Sequence, residues 1–430
     1  MKSLEIANAI NDKEIIVLVG EGLGAIYSDQ GKHSEALEAL EKSLSLARSL
    51  NDRTRIAELL WRQSEVHYKN GAFADAISTA SEAAKIAEQL GLQNVSYLAL
   101  TTLGRAYRAT KDEERASEAF NRAIECIERL RGQLAGSEQE TQVFFEDKVA
   151  PYRDMVDLLL SGGSAKSSLE ALHYAERAKG RVLLDALGGN RIKLEKAISQ
   201  TEKAEDGRLN KEIASLNVRV EMENSKRDSD TVLLRKLNEQ LRSARIKYEA
   251  FQNSLYSSHP ELRIQRRQTP PLSASDLNSL LNRKTAILEY VVTKSNTFLF
   301  VLTKSKVDAL DLRIYPIAIG EKILNERARD FREMLAEQSP TFADSSRELY
   351  DLQIKPASDQ LKGKSTLCVI PDGILWDLPF QALQPKDDRY LLEDFAIYYA
   401  PSLGVLNEMT SKRRSSAPLP PSCWLLVIRA

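Results

Sequence analysis

Apolar positions recur every three or four residues through the first third of the chain, then return forty residues later in the same places. Leu23, Ile26 and Tyr27 share one helical face, and Ala36, Leu37, Leu40, Leu44 and Ala47 share another. The offset of forty carries KSLEIANAINDK at 2–13 onto KSLSLARSLNDR at 42–53. It also relates Gly24 to Ser64 and Gly104, Tyr27 to His67 and Tyr107, and Gly31 to Gly71 and Lys111. Ala36, Ala76 and Ala116 follow the same rule, as do Leu40, Ala80 and Phe120. A fixed period of this length marks stacked structural units. Gly31 and Gly71 fall between the two faces of a unit, where a tight turn reverses the chain. Small residues in the 24/64/104 and 36/76/116 columns let paired helices approach closely. Each unit is therefore predicted to be a helical hairpin that buries its apolar face only by stacking on its neighbours. Residues 2–13 correspond to the end of a second helix, so the first unit over 1–134 is expected to be incomplete, with sequence upstream missing.

Helical spacing continues beyond the repeats. Residues 140–190 hold two segments divided by Gly162-Gly163, the second ending at Gly188-Gly189, and are expected to close the array as a terminal helical pair. Over 195–258, Leu209, Ile213, Leu216 and Val220 step by three and four, as do Leu234, Leu237, Leu241, Ala244, Tyr248, Phe251 and Leu255. A charged joint around Lys226 to Asp230 separates these runs, which favours a long antiparallel hairpin over an intermolecular coiled coil. After Pro270-Pro271 the pattern changes to short runs rich in branched and aromatic residues. Residues 286–292 and 297–302 read as strands of a hairpin turning at Thr293 to Asn296, and 307–314 as a third strand. Helices are expected over 319–337 and from Ser345 toward Gln360, then a buried strand over 367–370 and a further segment over 397–401. Residues 411–421 read as a loop and Trp424 to Ile428 as another strand. Strands alternating with helices make 272–430 an α/β domain.

Composition narrows this picture. With 43% hydrophobic and 28% charged residues, wholesale disorder is excluded. The 60 Lys+Arg against 61 Asp+Glu leave a net charge of -1, which gives no overall pull toward nucleic acid or an anionic membrane. Basic residues on the long hairpin are matched by acids, so nucleic acid is not an expected partner. Neither a signal-peptide pattern nor an eighteen-residue apolar run occurs, which makes no membrane association and a cytoplasmic location the expectation.

Three runs then carry a family resemblance. Leu23-Gly24-x-x-Tyr27, Gly31, Ala36, Leu40 and, better, Leu103-Gly104-x-x-Tyr107, Ala116, Phe120, Ala123 resemble the tetratricopeptide repeat in a long-helix form. VIPDGILWDLPFQAL followed by YLLEDFAIYYAPSLGVL at 390–406 resembles the front half of a CHAT domain, a caspase-like module found downstream of such repeats. AERAKGRVLLDAL resembles the helix that joins the two. The resemblance implies a multidomain protein: an all-α tetratricopeptide-like superhelix followed by a partial α/β caspase-like (CHAT) domain. The repeats imply a protein or peptide partner. The CHAT resemblance implies cysteine endopeptidase chemistry with a histidine–cysteine dyad placed beyond the Ala-Pro-Ser-Leu segment, a region this chain is expected to lack.

The candidate chemistry within the chain has structural readings. His33, His67, His173 and His259 all precede the CHAT-like core, and His67 replaces tyrosine in a packing column. Cys126 lies in a repeat helix, Cys368 in a buried strand, and Cys423 just before Trp424, too scattered for disulfides or a thiolate metal site. Asp372, Asp377, Glu393 and Asp394 form no metal-binding spacing, and Asp372 beside Gly373 suits a turn. No catalytic, cofactor-binding or metal residue is assigned, and no cofactor is expected. The expected function is a protein-interaction scaffold with a catalytically incomplete caspase-like domain. The alternative is the regulatory, N-terminal portion of a repeat-controlled CHAT-family cysteine endopeptidase.

Overall fold

The computed structural model describes residues 13–133, 147–161, 165–186, 199–224, 230–258, 272–305, 307–339, 341–386 and 389–415. The repeats form hairpins from α1 (Lys13–Asp29) and α2 (His33–Ser49), α3 (Arg53–Lys69) and α4 (Phe73–Leu90), and α5 (Gln93–Ala109) and α6 (Glu113–Gln133). The small-residue column sets their spacing. A methyl group at Gly24 would lie 2.5 Å from Leu40 Cγ, and one at Gly104 would lie 2.5 Å from Phe120 Cε1. In the middle unit Ser64 fits the same place by turning its hydroxyl back onto Trp61 O at 2.6 Å. The hairpin turns need left-handed backbone, at φ +73° for Gly31 and +77° for Gly71, and Lys111 adopts +65° in the same column. Asp52 caps α3 by accepting from Arg55 N at 3.0 Å. Between the helices, Ala36, Leu40, Leu44, Ala76, Ala80, Ala116 and Phe120 are buried.

Helices α7 (Ala150–Ser161) and α8 (Ala165–Ala186) follow, and then α9 (Gln200–Asn224) and α10 (Thr231–Ser258). Ile213, Leu216, Leu237, Leu241 and Ala244 form a core between α9 and α10. Tyr248 Oη donates to Asp206 Oδ1 at 3.2 Å and Asp230 N donates to Glu223 Oε1 at 3.2 Å, so the two helices run antiparallel. The chain divides into two compact units, 1–151 with 187–267, and 152–186 with 268–430. This departs from the expectation that 140–190 caps the repeats: Tyr152–Ala186 belongs to the second unit. An amphipathic period shows that a helix buries a face, but not against which element.

The second unit adds α11 (Ala274–Ser279), β1 (Thr285–Val292), β2 (Thr297–Lys304), β3 (Leu310–Ile317), α12 (Glu321–Ala336), α13 (Phe342–Gln353), α14 (Ser358–Leu361), β4 (Thr366–Ile370), α15 (Leu391–Asp394), β5 (Ala396–Tyr399) and α16 (Leu403–Ser415). The sheet order is β3-β2-β1-β4-β5. β1, β2 and β3 pair antiparallel, whereas β4 runs parallel to both β1 and β5. Leu288, Tyr290, Leu299, Val301, Leu367 and Val369 meet Leu324, Phe331 and Leu349 of α12 and α13. Alternate residues Ile287, Val291, Phe300, Cys368 and Ile370 pack with Val156 of α7, Ala171, Leu172 and Ala175 of α8, and Leu403 of α16. Both faces of β1, β2 and β4 are covered, which is why these three strands read as continuous apolar runs. The third strand starts at Leu310 and not at 307, because Ser305 N bonds to Ala309 O and Asp308 turns at φ +59°. The loop expected over 411–421 gives way to α16, which runs to Ser415; Cys423 and the strand read at Trp424 to Ile428 lie outside the described residues. None of the described helices is long and apolar enough to cross a membrane.

Candidate functional site

In the repeat unit the first helices of successive hairpins, α1, α3 and α5, touch one another directly, while α2, α4 and α6 are held further apart. In a curved stack of helical hairpins the more closely spaced layer lies on the inside, which assigns α1, α3 and α5 to the concave face. On α3, Arg55, Glu58, Arg62 and Glu65 follow one another by three, four and three residues and form one stripe. Arg55 Nη1 lies 2.6 Å from Glu58 Oε2, and Arg62 Nη1 lies 3.5 Å from Glu65 Oε2. Glu21 of α1 reaches across to Arg55 at 3.9 Å and to Arg62 at 3.5 Å. Lys69 does likewise toward Asp29, at 3.1 Å, and Ser28 Oγ, at 3.2 Å. The Arg62 guanidinium stacks 4.1 Å from the Trp61 ring centroid, and the buried Trp61 Nε1 has no hydrogen-bond partner. Burial pushes the Glu58 carboxyl above the usual range against the pull of Arg55. The concave face therefore offers donors and acceptors of both signs, with the Arg62 guanidinium laid over the buried Trp61 ring, chemistry suited to an extended polypeptide.

A second polar cluster lies in the sheet unit. Glu289 of β1 is fully buried. Lys179 of α8 donates to Glu289 Oε1 at 3.1 Å and to Ile370 O at 3.4 Å. Glu176, one turn earlier, accepts from Leu403 N and Gly404 N, both at 2.8 Å, at the start of α16. Nearby, Asp372 accepts from Arg153 Nη2 at 2.9 Å and from Val292 N at 2.8 Å. Burial, and then the neighbouring Glu289 charge, push the Glu176 carboxyl up to about 8. Burial also raises Glu289, against the pull of Lys179. Sequence reasoning missed this cluster. Its one signal was an acidic residue inside Ile287-Leu288-Glu289-Tyr290-Val291, where neighbours on both sides of the strand are apolar.

The residues singled out from sequence are dispersed. His33 opens α2, its Nδ1 buried without a partner. His67 sits half-buried in its tyrosine column, where burial pushes the imidazole below the ordinary histidine range. His173 Nε2 lies 3.1 Å from Leu272 O, and His259 is outside the described residues. Burial raises the Cys126 thiol, and pushes that of Cys368 up to about 12, which disfavours the thiolate. No described histidine is hydrogen-bonded to a described cysteine. Asp372 is committed to Arg153 and Val292, Asp377 pairs with Arg332 at 2.9 Å, Glu393 caps Tyr390 N at 2.7 Å, and Asp394 pairs with Arg389. Among the described residues, no group of histidine, cysteine and acidic side chains is arranged to hold a metal.

Family models of the tetratricopeptide repeat match residues 13–89 and 97–126, and the CHAT domain model matches 343–429. The CHAT match starts within α13, so β1 to β3 precede it. No curated protein matches the chain. Among solved structures, BtubC (BKLC) from P. vanneervenii is similar over 64% of this chain and 92% of its own, at 16% identity and a TM-score of 0.35. The nearly identical TPR-like repeats of a putative kinesin light chain from Podosopora anserina are similar over 54% of this chain and 95% of theirs, at 14% identity and a TM-score of 0.31. The repeat hairpins coincide with the matched repeat segments: along this chain, tetratricopeptide repeats are followed by a CHAT domain.

Proposed function

We propose that this chain is a protein-interaction scaffold whose concave repeat face binds an extended polypeptide, and that the described part of its sheet unit acts structurally. The observation that carries this reading is the α3 stripe, with Arg62 stacked on Trp61 and Glu21 tying it to α1. Polar side chains held in place by such pairs meet a peptide backbone already oriented, which lowers the ordering cost of binding. The test is selection of random peptides on the purified full chain, followed by calorimetric titration of the enriched sequences. Arg62→Glu, which reverses one charge of the stripe, is expected to weaken binding at least tenfold. Lys42→Glu on the exposed face of α2, where the side chain is 75% accessible, is expected to leave affinity unchanged. Equal losses from both substitutions, or from neither, would contradict the reading.

A second reading, regulation of a cysteine endopeptidase, is favoured by the CHAT match over 343–429. Alkylation of the native full chain with iodoacetamide at pH 7, followed by mass spectrometry, separates the two. The scaffold reading expects Cys126 and Cys368 to stay unmodified, since both thiols are buried. A peptidase site within the described residues would instead give a fast-reacting thiol at one of these two positions together with hydrolysis of a fluorogenic peptide.

A further inference from the structure

The chain leaves the repeat-bearing unit before Tyr152, contributes α8 and most of α7 to the sheet unit, and returns at Leu187. The arm is therefore joined at both ends to one unit while its side chains are fixed in the other. Its deepest attachment is an unbalanced charge cluster. Glu176 and Glu289 bring two carboxyls and Lys179 one ammonium into a space where the Lys179 side chain is 8% and the Glu289 side chain 0% accessible. Glu176 uses both oxygens on the amide groups that open α16. The remaining oxygen of Glu289 lies beside Glu176 with no donor of its own, so a proton shared between the two carboxyls both satisfies it and brings the cluster to neutrality.

We propose that Glu176, Lys179 and Glu289 form a proton-dependent latch that holds α8 and the start of α16 against β1 and β4, closed while the two carboxyls share one proton and released when that proton is lost. The other charged or titratable groups around it are accounted for. Asp372, after β4, is neutralised by Arg153 of α7, which also lies 3.8 Å from Glu321 of α12. Cys368 of β4 and Tyr398 of β5 are both shifted toward their protonated forms by burial. The unpaired negative charge thus falls on the Glu176–Glu289 pair. A buried carboxylate without a counter-charge is strongly disfavoured, so losing the proton costs the closed state. Burial raises both carboxyls, so the closed state holds its proton at pH values where the open state has released it, and the latch weakens as pH rises toward about 8.

Hydrogen exchange of the full chain between pH 6 and pH 9, corrected for intrinsic rates and read by mass spectrometry, tests the latch. Protection of 165–186 and 403–415 is expected to fall between pH 6 and pH 8, by at most about tenfold per pH unit for one proton, and to level off above about pH 8, while α12 and the repeat helices keep theirs. Glu289→Gln leaves one carboxylate for one ammonium and is expected to make that protection independent of pH. Glu176→Gln has the same charge consequence and serves if the first variant folds poorly. Equal protection of the wild-type segments at pH 6 and pH 9 would overturn the latch. So would either folded variant that keeps the wild-type pH dependence.

Discussion

Lys111 occupies a place where its two repeat counterparts are glycine, and it holds φ +65° there. A side chain in left-handed backbone costs roughly 1–2 kcal/mol relative to the usual basin. Lys111→Gly is therefore expected to stabilise the repeats by up to about 1 kcal/mol, the remainder being lost to the added freedom of the unfolded chain. Urea unfolding followed by circular dichroism measures it. The opposite substitution is expected to cost stability where a glycine meets its partner closely. In Gly104→Ala the new methyl group would meet the buried Phe120 ring, and loss of about 1–3 kcal/mol is expected in the same assay. These positions are legible as columns of the forty-residue repeat, because close approach and tight turns each restrict the residue type. Glu289 is not legible in that way. An acid on one residue of a strand normally marks a solvent face, and only the packing of α8 onto that face shows it to be buried.

At the scale of elements, helices and strands are legible because the apolar period changes cleanly after Pro271, but their partners are not. The α7–α8 pair carries an ordinary amphipathic pattern, and only contacts such as Arg153 to Asp372 and Lys179 to Glu289 assign it to the sheet. Arg153→Met would leave Asp372 with only the Val292 amide as donor, and a loss of about 1–3 kcal/mol is expected in the sheet unit. Native-state exchange of the β1 and β4 amides measures this loss. The pH dependence has a definite sign. The folded unit holds a proton on Glu176 at pH values where the unfolded chain has released it. The slope of unfolding free energy with pH is then negative: this contribution is fully present below the ordinary carboxyl range and is lost as pH rises through about 8. The slope reaches at most about 1.4 kcal/mol per pH unit for one proton. The same exchange measurement at pH 5, 7 and 9 is expected to show falling stability in the wild type and a flatter profile in Glu176→Gln.

At the scale of the whole molecule, the order of repeats and then an α/β domain is readable from sequence because each has its own period. The path by which the chain visits the second unit, returns and leaves again is not, since it depends on long-range packing that no local pattern encodes. That path makes the repeats and the sheet covalently continuous through α7 and α8, whatever partner the repeats take. The proposed scaffold function depends most heavily on the concave face of the repeats. Its most direct test places a photoreactive benzoylphenylalanine at Glu65 on the α3 stripe, or at Lys42 on α2, in the full chain loaded with a selected peptide. Illumination is expected to crosslink the peptide efficiently from position 65 and at background level from position 42. Crosslinking from position 42 with none from position 65 would show that the polypeptide is bound elsewhere and contradict the account.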